Sequence, residues 1–124
     1  MRETKKILLV DDNIDIITTF RIALRRLGYS VIVAKDGDEC LIKARNEKPD
    51  LILLDVRLPR MSGGEVLKRL KESPETKTVP VVAITASMSK ETKEMMEEFG
   101  ADDFLLKPID VLDLNRVLRR YLGA

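Results

Sequence analysis

Five short apolar runs, set apart by amphipathic stretches, constrain the fold more than any other feature of this chain. They occupy residues 7–10, 31–34, 51–54, 81–84 and, more briefly, 104–106. Three of them are nearly continuous Val, Ile and Leu, the pattern of strands covered on both faces. Pro80 stands at the head of the fourth, where a missing N–H is tolerated. Between the runs lie helical patterns. Ile17, Phe20, Leu24 and Leu27 recur at helical spacing and claim the core; the pattern stops at Gly28, and Asn13 can cap it. Further helices are predicted over 37–46, 63–72, 90–99 and 110–122. Strand and helix alternating five times imply a doubly wound α/β fold: a parallel sheet, right-handed crossovers and helices on both faces. With no repeat or internal linker, the 124 residues read as one domain.

In open parallel sheets ligands bind beyond the carboxyl ends of the strands, where strand order reverses. The first strand ends in Asp11 and Asp12, the third in Asp55, the fourth in Thr85 and the fifth in Lys107. Three gathered carboxylates need compensation. At an effective dielectric of about 20, two unit charges ~4 Å apart repel by about 4 kcal/mol. Lys107 offsets one charge, and a divalent cation would close the remaining deficit. An all-oxygen site favours Mg²⁺ or Mn²⁺. A hard cation, a lysine and a hydroxyl around a further carboxylate suit a phosphoryl group, with Asp55 as candidate nucleophile. Each residue also has a plainer reading. The leading acids could cap a helix, Asp55 could sit in a turn, Thr85 could end a strand, and Lys107 could be a solvated loop lysine. Their coincidence at the ligand-side ends favours the site.

Composition narrows the chemistry. The chain has no histidine, which removes Ser-His-Asp and Cys-His catalysis and imidazole-ligated zinc. Its one cysteine, Cys40, reads as a small residue on the inner side of a helix and fits a reducing compartment. A net charge of +1 offers no broad basic field for nucleic acid or anionic lipid. No run reaches membrane-spanning length and the start carries no secretory pattern, so a cytoplasmic protein is expected.

The segments ILLVDD, LILLDVRLPRMSGGEVLKRLK, VPVVAITA and GADDFLLKPID, in this order, resemble the receiver domain of two-component response regulators, across essentially the whole chain. The resemblance implies a flavodoxin-like (βα)5 sandwich with strand order 2-1-3-4-5. It implies that Asp55 accepts a phosphoryl group from a phosphohistidine on a sensor histidine kinase or histidine phosphotransfer protein. Asp11, Asp12, Asp55 and the backbone carbonyl of Arg57 would hold Mg²⁺, and Lys107, before a cis Pro108, would pair with a phosphoryl oxygen. Thr85 and Phe104 would form a switch acting on the face made by the fourth helix, fifth strand and fifth helix. The helical stretch MSKETKEMMEEFG suits a low-stability element, its apolar stripe being only Met95, Met96 and Phe99. The histidine-bearing partner would meet Ile16, Thr19 and Ile22 on the first helix, with Pro108 and Ile109 after the fifth strand.

Two positions depart from the common pattern. Arg57, two residues past the phosphoacceptor, could reach over the acidic site and alter its charge and water access, a hypothesis that comparing dephosphorylation of wild type and Arg57→Asn tests. Phe104 lacks the hydroxyl of the tyrosine found in many relatives, so it can act only through ring position and shape. Arg116, Arg119 and Arg120 on the last helix suit its C-terminal dipole first and output docking second.

The expected product is a stand-alone signalling protein rather than an enzyme: it catalyses only its own phosphorylation and dephosphorylation. It would act on an unknown effector protein, bind neither nucleic acid nor membrane directly, and be a monomer or a weak phosphorylation-dependent dimer. Residues 1–124 form its single domain, the Gly123–Ala124 ending being read as leaving no room for an effector. The alternatives are the same domain from a longer regulator and a Mg-dependent phosphohydrolase working through an aspartyl-phosphate. The second lacks the acid two residues past the nucleophile, where Arg57 stands. A flavin module would want a Ser/Thr/Gly loop where this chain places acids.

Overall fold

In the computed structural model, which describes residues 4–123, the apolar runs become five parallel strands and the stretches between them five helices. In chain order these are β1 (Lys6–Val10), α1 (Ile14–Arg26), β2 (Ser30–Ala34), α2 (Gly37–Glu47), β3 (Leu51–Asp55), α3 (Gly63–Glu72), β4 (Val81–Thr85), α4 (Lys90–Glu98), β5 (Asp103–Leu106) and α5 (Val111–Leu122). The sheet order is β2-β1-β3-β4-β5, the 2-1-3-4-5 order expected, and each element matches its sequence pattern within two or three residues.

Alternation along each strand divides the core into two layers. Ile7, Leu9, Leu53 and Ile84 pack under α1 and α5 through Ile17, Phe20 and Leu118, among others. Leu8, Val10, Leu54 and Ala83 face α2, α3 and α4 through Cys40, Leu67 and Met96. β3 and β4 are buried at every residue because both of their faces are covered, whereas the edge strand β2 is only half-buried along most of its length. That edge is partly plugged: Lys43 on α2 reaches across it and donates from Nζ to the Val33 carbonyl at 2.6 Å.

Each helix opens on a short polar cap whose side-chain oxygen accepts from a first-turn N–H: Asn13, Asp36, Ser62, Ser89 and Asp110. Each cap contributes about 1 kcal/mol. It also fixes every helix start at the carboxyl end of the preceding strand, so all five positive dipole ends point toward one rim.

Two core assignments change. Leu27 is 38% exposed, because α1 ends at Arg26 and Leu27 is its C-cap, past the last turn that faces the sheet. Met95 is 43% exposed, which leaves α4 held by Met96 and the half-buried Phe99. None of the helices is long and apolar enough to cross a membrane among the described residues.

Candidate functional site

Sheet order makes β1 and β3 neighbours, so their acidic ends meet. Asp11 follows Val10 and is 1% exposed; Asp55 closes β3 and is 4% exposed; Asp12 stands in solvent. One carboxylate oxygen from each of the three lies within 4.8 Å of the others. Lys107, just past β5, spans them: its Nζ is 3.2 Å from Asp55 Oδ2 and 3.3 Å from Asp11 Oδ2. The following bond, Lys107–Pro108, is cis.

The outer carboxylate oxygens are fixed by the backbone. Asp11 Oδ1 accepts from the Asn13 N–H at 2.9 Å and Asp55 Oδ1 from the Arg57 N–H at 3.0 Å, each a two-residue Asx turn. Both inner oxygens are therefore aimed at the shared space. Asp11 Oδ2 is buried and meets the Lys107 ammonium as an ion pair without a hydrogen bond among the described residues. A buried anionic oxygen with spare acceptor capacity, beside two further carboxylates and no nitrogen or sulfur ligand, fits a hard divalent cation.

Burial pushes the Asp55 carboxyl above its ordinary value. The Arg57 N–H opposes that rise, the Asp11 charge adds to it, and Lys107 opposes it again.

Close packing presses the loop after Asp55 into place. Gly63 opens α3 directly on the Asp55–Val56 backbone: a Cβ there would lie 2.6 Å from the Asp55 carbonyl oxygen, and the Gly63 N–H donates to Val56 O at 3.0 Å. Within the loop Arg60 takes a left-handed conformation at φ 68°, unusual for a residue with a Cβ. The Arg57 side chain is exposed.

Thr85 is buried at the end of β4, yet its hydroxyl is engaged away from Asp55. It donates to Ser87 O at 2.8 Å and accepts from the Ser87 N–H at 3.2 Å, closing a small turn. Phe104 is half-buried against the α2–α3–α4 layer.

Beside the acids lies a groove of about 490 Å³ whose walls include Ile16, Thr19, Lys107, Pro108 and Ile109. Four of the five expected partner-facing residues thus share one concavity, which Lys107 also lines. Ile22 does not join them; it is 49% exposed, on a part of α1 outside the groove. The groove also includes Asp15, Ala86 and Phe20. Phe20 packs in the core at 1% exposure, as its helical spacing predicts, and it also lines the groove. Its dual place could not be read from helical spacing, which marks only the buried direction.

The sequence profile of the response regulator receiver domain matches residues 7–119. Over 118 residues the chain is 43% identical to the alkaline phosphatase synthesis transcriptional regulatory protein PhoP of Bacillus subtilis, covering 95% of this chain and 48% of PhoP, so it spans about half that relative's length. It is 38% identical over 120 residues to the polar-differentiation response regulator DivK of Brucella ovis, covering 97% of this chain and 98% of DivK. Among solved structures, the chemotaxis protein CheY4 of Vibrio cholerae superposes with a TM-score of 0.91 at 34% identity, over 96% of this chain and 99% of that one. The receiver domain of a sensor histidine kinase from Pseudomonas aeruginosa PAO1, solved with a magnesium ion coordinated in its active-site cleft, gives a TM-score of 0.91 at 33% identity, over 98% and 100% of the two chains. With the sheet order and the acid-lined cleft already in view, these similarities lead to one conclusion: the chain belongs to the receiver domains of two-component response regulators.

Proposed function

We propose that this domain is a phosphoacceptor in which Asp55 takes a phosphoryl group from a phosphohistidine on a kinase or phosphotransfer partner. One observation carries the reading: a buried carboxylate with its inner oxygen 3.2 Å from a lysine ammonium and beside two further acids. An Asp55 Oδ atom attacks phosphorus, the P–N bond to the imidazole breaks with its electron pair leaving on nitrogen, and an acyl phosphate remains. Asp11, Asp12, Asp55 and the Arg57 carbonyl would hold Mg²⁺, or Mn²⁺ in its place. When bound, such a cation supplies positive charge to the acids and to the phosphoryl oxygens. Lys107 neutralises a phosphoryl oxygen, and its flexible stem lets it follow the charge outward.

Thr85 and Phe104 act as the switch, the Thr85 hydroxyl leaving Ser87 for the phosphoryl group and the ring moving inward. The α4–β5–α5 face then changes for an effector protein. The partner's histidine-bearing helix docks along Ile16, Thr19, Pro108 and Ile109, an apolar groove that is also lined by Lys107, the ion-pair partner of Asp55. Ile22 is left to the periphery of that surface. Cytoplasmic placement and a single domain over 1–124 belong to the same reading. Its rival, the receiver segment of a longer regulator, draws on the match to PhoP over about half that protein, and the full reading frame separates the two.

The test is stoichiometric labelling. Incubation with acetyl phosphate and Mg²⁺ is expected to add one phosphoryl group to the intact mass, and Asp55→Ala to abolish it. Retention of the adduct in Asp55→Ala, or turnover of small phosphate esters in its place, would refute the assignment.

A further inference from the structure

A second cavity, of about 190 Å³, lies between α2 and α3. Its walls are Leu41 and Arg45 of α2, Arg69 and Leu70 of α3, and Ser73 and Thr76 just beyond. Leu41 and Arg45 are four residues apart on one face of α2, as are Arg69 and Ser73 at the end of α3. Arg45 and Arg69 stand in the last turns of their helices, whereas every helix starts at the rim that carries the acids. The cavity therefore belongs to the opposite rim from Asp55.

Its polar groups are mostly donors without acceptors. Among the described residues Arg45 makes no ion pair, and the α2 acids Glu39 and Glu47 pair with Lys43 and Lys6 instead. Arg69 donates only from Nε, to Glu65 Oε1 at 3.3 Å, in a pair with both side chains about half exposed. Such a pair is weak, and it leaves the four terminal N–H groups of that guanidinium uncommitted. The Thr76 hydroxyl donates to Leu70 O at 2.7 Å, so Ser73 supplies the one uncommitted hydroxyl among the described residues of the lining. No carboxylate lines the cavity among the described residues.

A basic residue in a last helical turn suits the dipole, which accounts for the sign of Arg45 and Arg69. It does not account for two guanidiniums lining one cavity with no acid between them. Forked donors and a net positive charge are the complement of an oxyanion. The volume equals about six water molecules at roughly 30 Å³ each, room for a phosphate and a short carbon body but not for a nucleotide. Leu41 and Leu70 would meet that carbon body.

We propose that this cavity is a binding site for a small phosphate, free or as the monoester of a short carbon chain. Arg45 and Arg69 fork its oxygens, and the Ser73 hydroxyl donates a further hydrogen bond. The site goes beyond the phosphoacceptor reading and does not depend on it, since it uses neither Asp55 nor a metal.

The test records amide NMR spectra of the metal-free domain against sodium phosphate, with sodium chloride at equal ionic strength as reference. Saturable shifts in the millimolar range are expected within residues 41–45 and 69–76, and none of comparable size at Asp11, Asp55 or Lys107. Arg45→Gln and Arg69→Gln, both at exposed positions, are each expected to weaken phosphate about tenfold, the loss of one charge-assisted hydrogen-bonded pair. Shifts that chloride reproduces, shifts confined to the rim of the acids, or undiminished binding in both variants overturn the site. Glycerol 3-phosphate is the last arm. Tighter binding than inorganic phosphate assigns a monoester as the ligand, and equal or weaker binding assigns free phosphate.

Discussion

The Lys107 ammonium lies 3.2 Å from Asp55 Oδ2, on a side chain that is 20% exposed, while the carboxylate it meets is almost wholly enclosed. The lysine therefore neutralises a charge that water scarcely reaches. Replacing it with Met leaves Asp55 and Asp11 facing each other without a cation. The expected loss at neutral pH is about 1–3 kcal/mol, below the 3–5 for a fully buried pair because solvent reaches the ammonium. Urea unfolding measures it, and in an Asp55→Asn background the loss is expected to shrink. Equal losses in both backgrounds would show the two residues uncoupled.

Asp55 itself is expected to oppose folding near neutrality. Burial raises its carboxyl above the ordinary value of 3.8, so the folded chain holds that proton more tightly than the unfolded chain. The stability this gives is complete below 3.8 and is lost as pH rises through the raised value. Asp55→Asn is thus expected to unfold at higher urea than wild type near neutral pH, and the gap to close at acid pH. A gap independent of pH would contradict the assigned cause.

Magnesium is expected to stabilise wild type by binding the folded state alone, by about 2.7 kcal/mol at a hundredfold excess over its dissociation constant. Thermal unfolding with Mg²⁺ and with a chelator checks this. Asp12→Asn is the informative variant: it takes one charge out of the acidic cluster, so the metal-free midpoint is expected to rise slightly while the Mg²⁺-dependent rise weakens. An undiminished rise would remove Asp12 from the ligand set.

The loop after Asp55 holds two opposite backbone cases. Gly63→Ala drives a Cβ against the Asp55 carbonyl and is expected to cost about 1–3 kcal/mol. Arg60→Gly relieves a left-handed φ and is expected to stabilise by about 0.5–1 kcal/mol, after the entropy that glycine loses on folding. Chemical denaturation of both variants tests the pair. A stabilised Gly63→Ala would mean that the helix start can shift away.

Ile16 and Ile22 separate the groove from its surroundings. With the partner that phosphorylates this domain, Ile16→Ala is expected to slow phosphotransfer several-fold and Ile22→Ala to change it little. Neither is expected to disturb the fold. The reverse order would move the docking surface to the outer side of α1.

The strand ends were legible because each apolar run stops on a polar residue at the same rim: Asp11 after Val10, Asp55 after Leu54, Thr85 after Ile84. Once alternation implied a parallel sheet, these residues had to share a rim. Side-chain partners far apart in sequence were not legible. Nothing in a lysine at 71 or an aspartate at 102 signals that they meet, and each reads as a solvated charge until the fold closes over them. Backbone conformation was equally hidden, since Arg60 carries no mark of a left-handed φ. Leu27 fits the helical period as well as Leu24 does; only the end of α1 tells them apart.

Of the described strands, β2 is the one flanking β1 with its other side open, and the Lys43 ammonium seated on the Val33 carbonyl occupies an acceptor that any added strand would need. Lateral growth of the sheet from one molecule into another would have to evict that ammonium first. A single long side chain thereby guards one position of this border against serving as a template for strand addition.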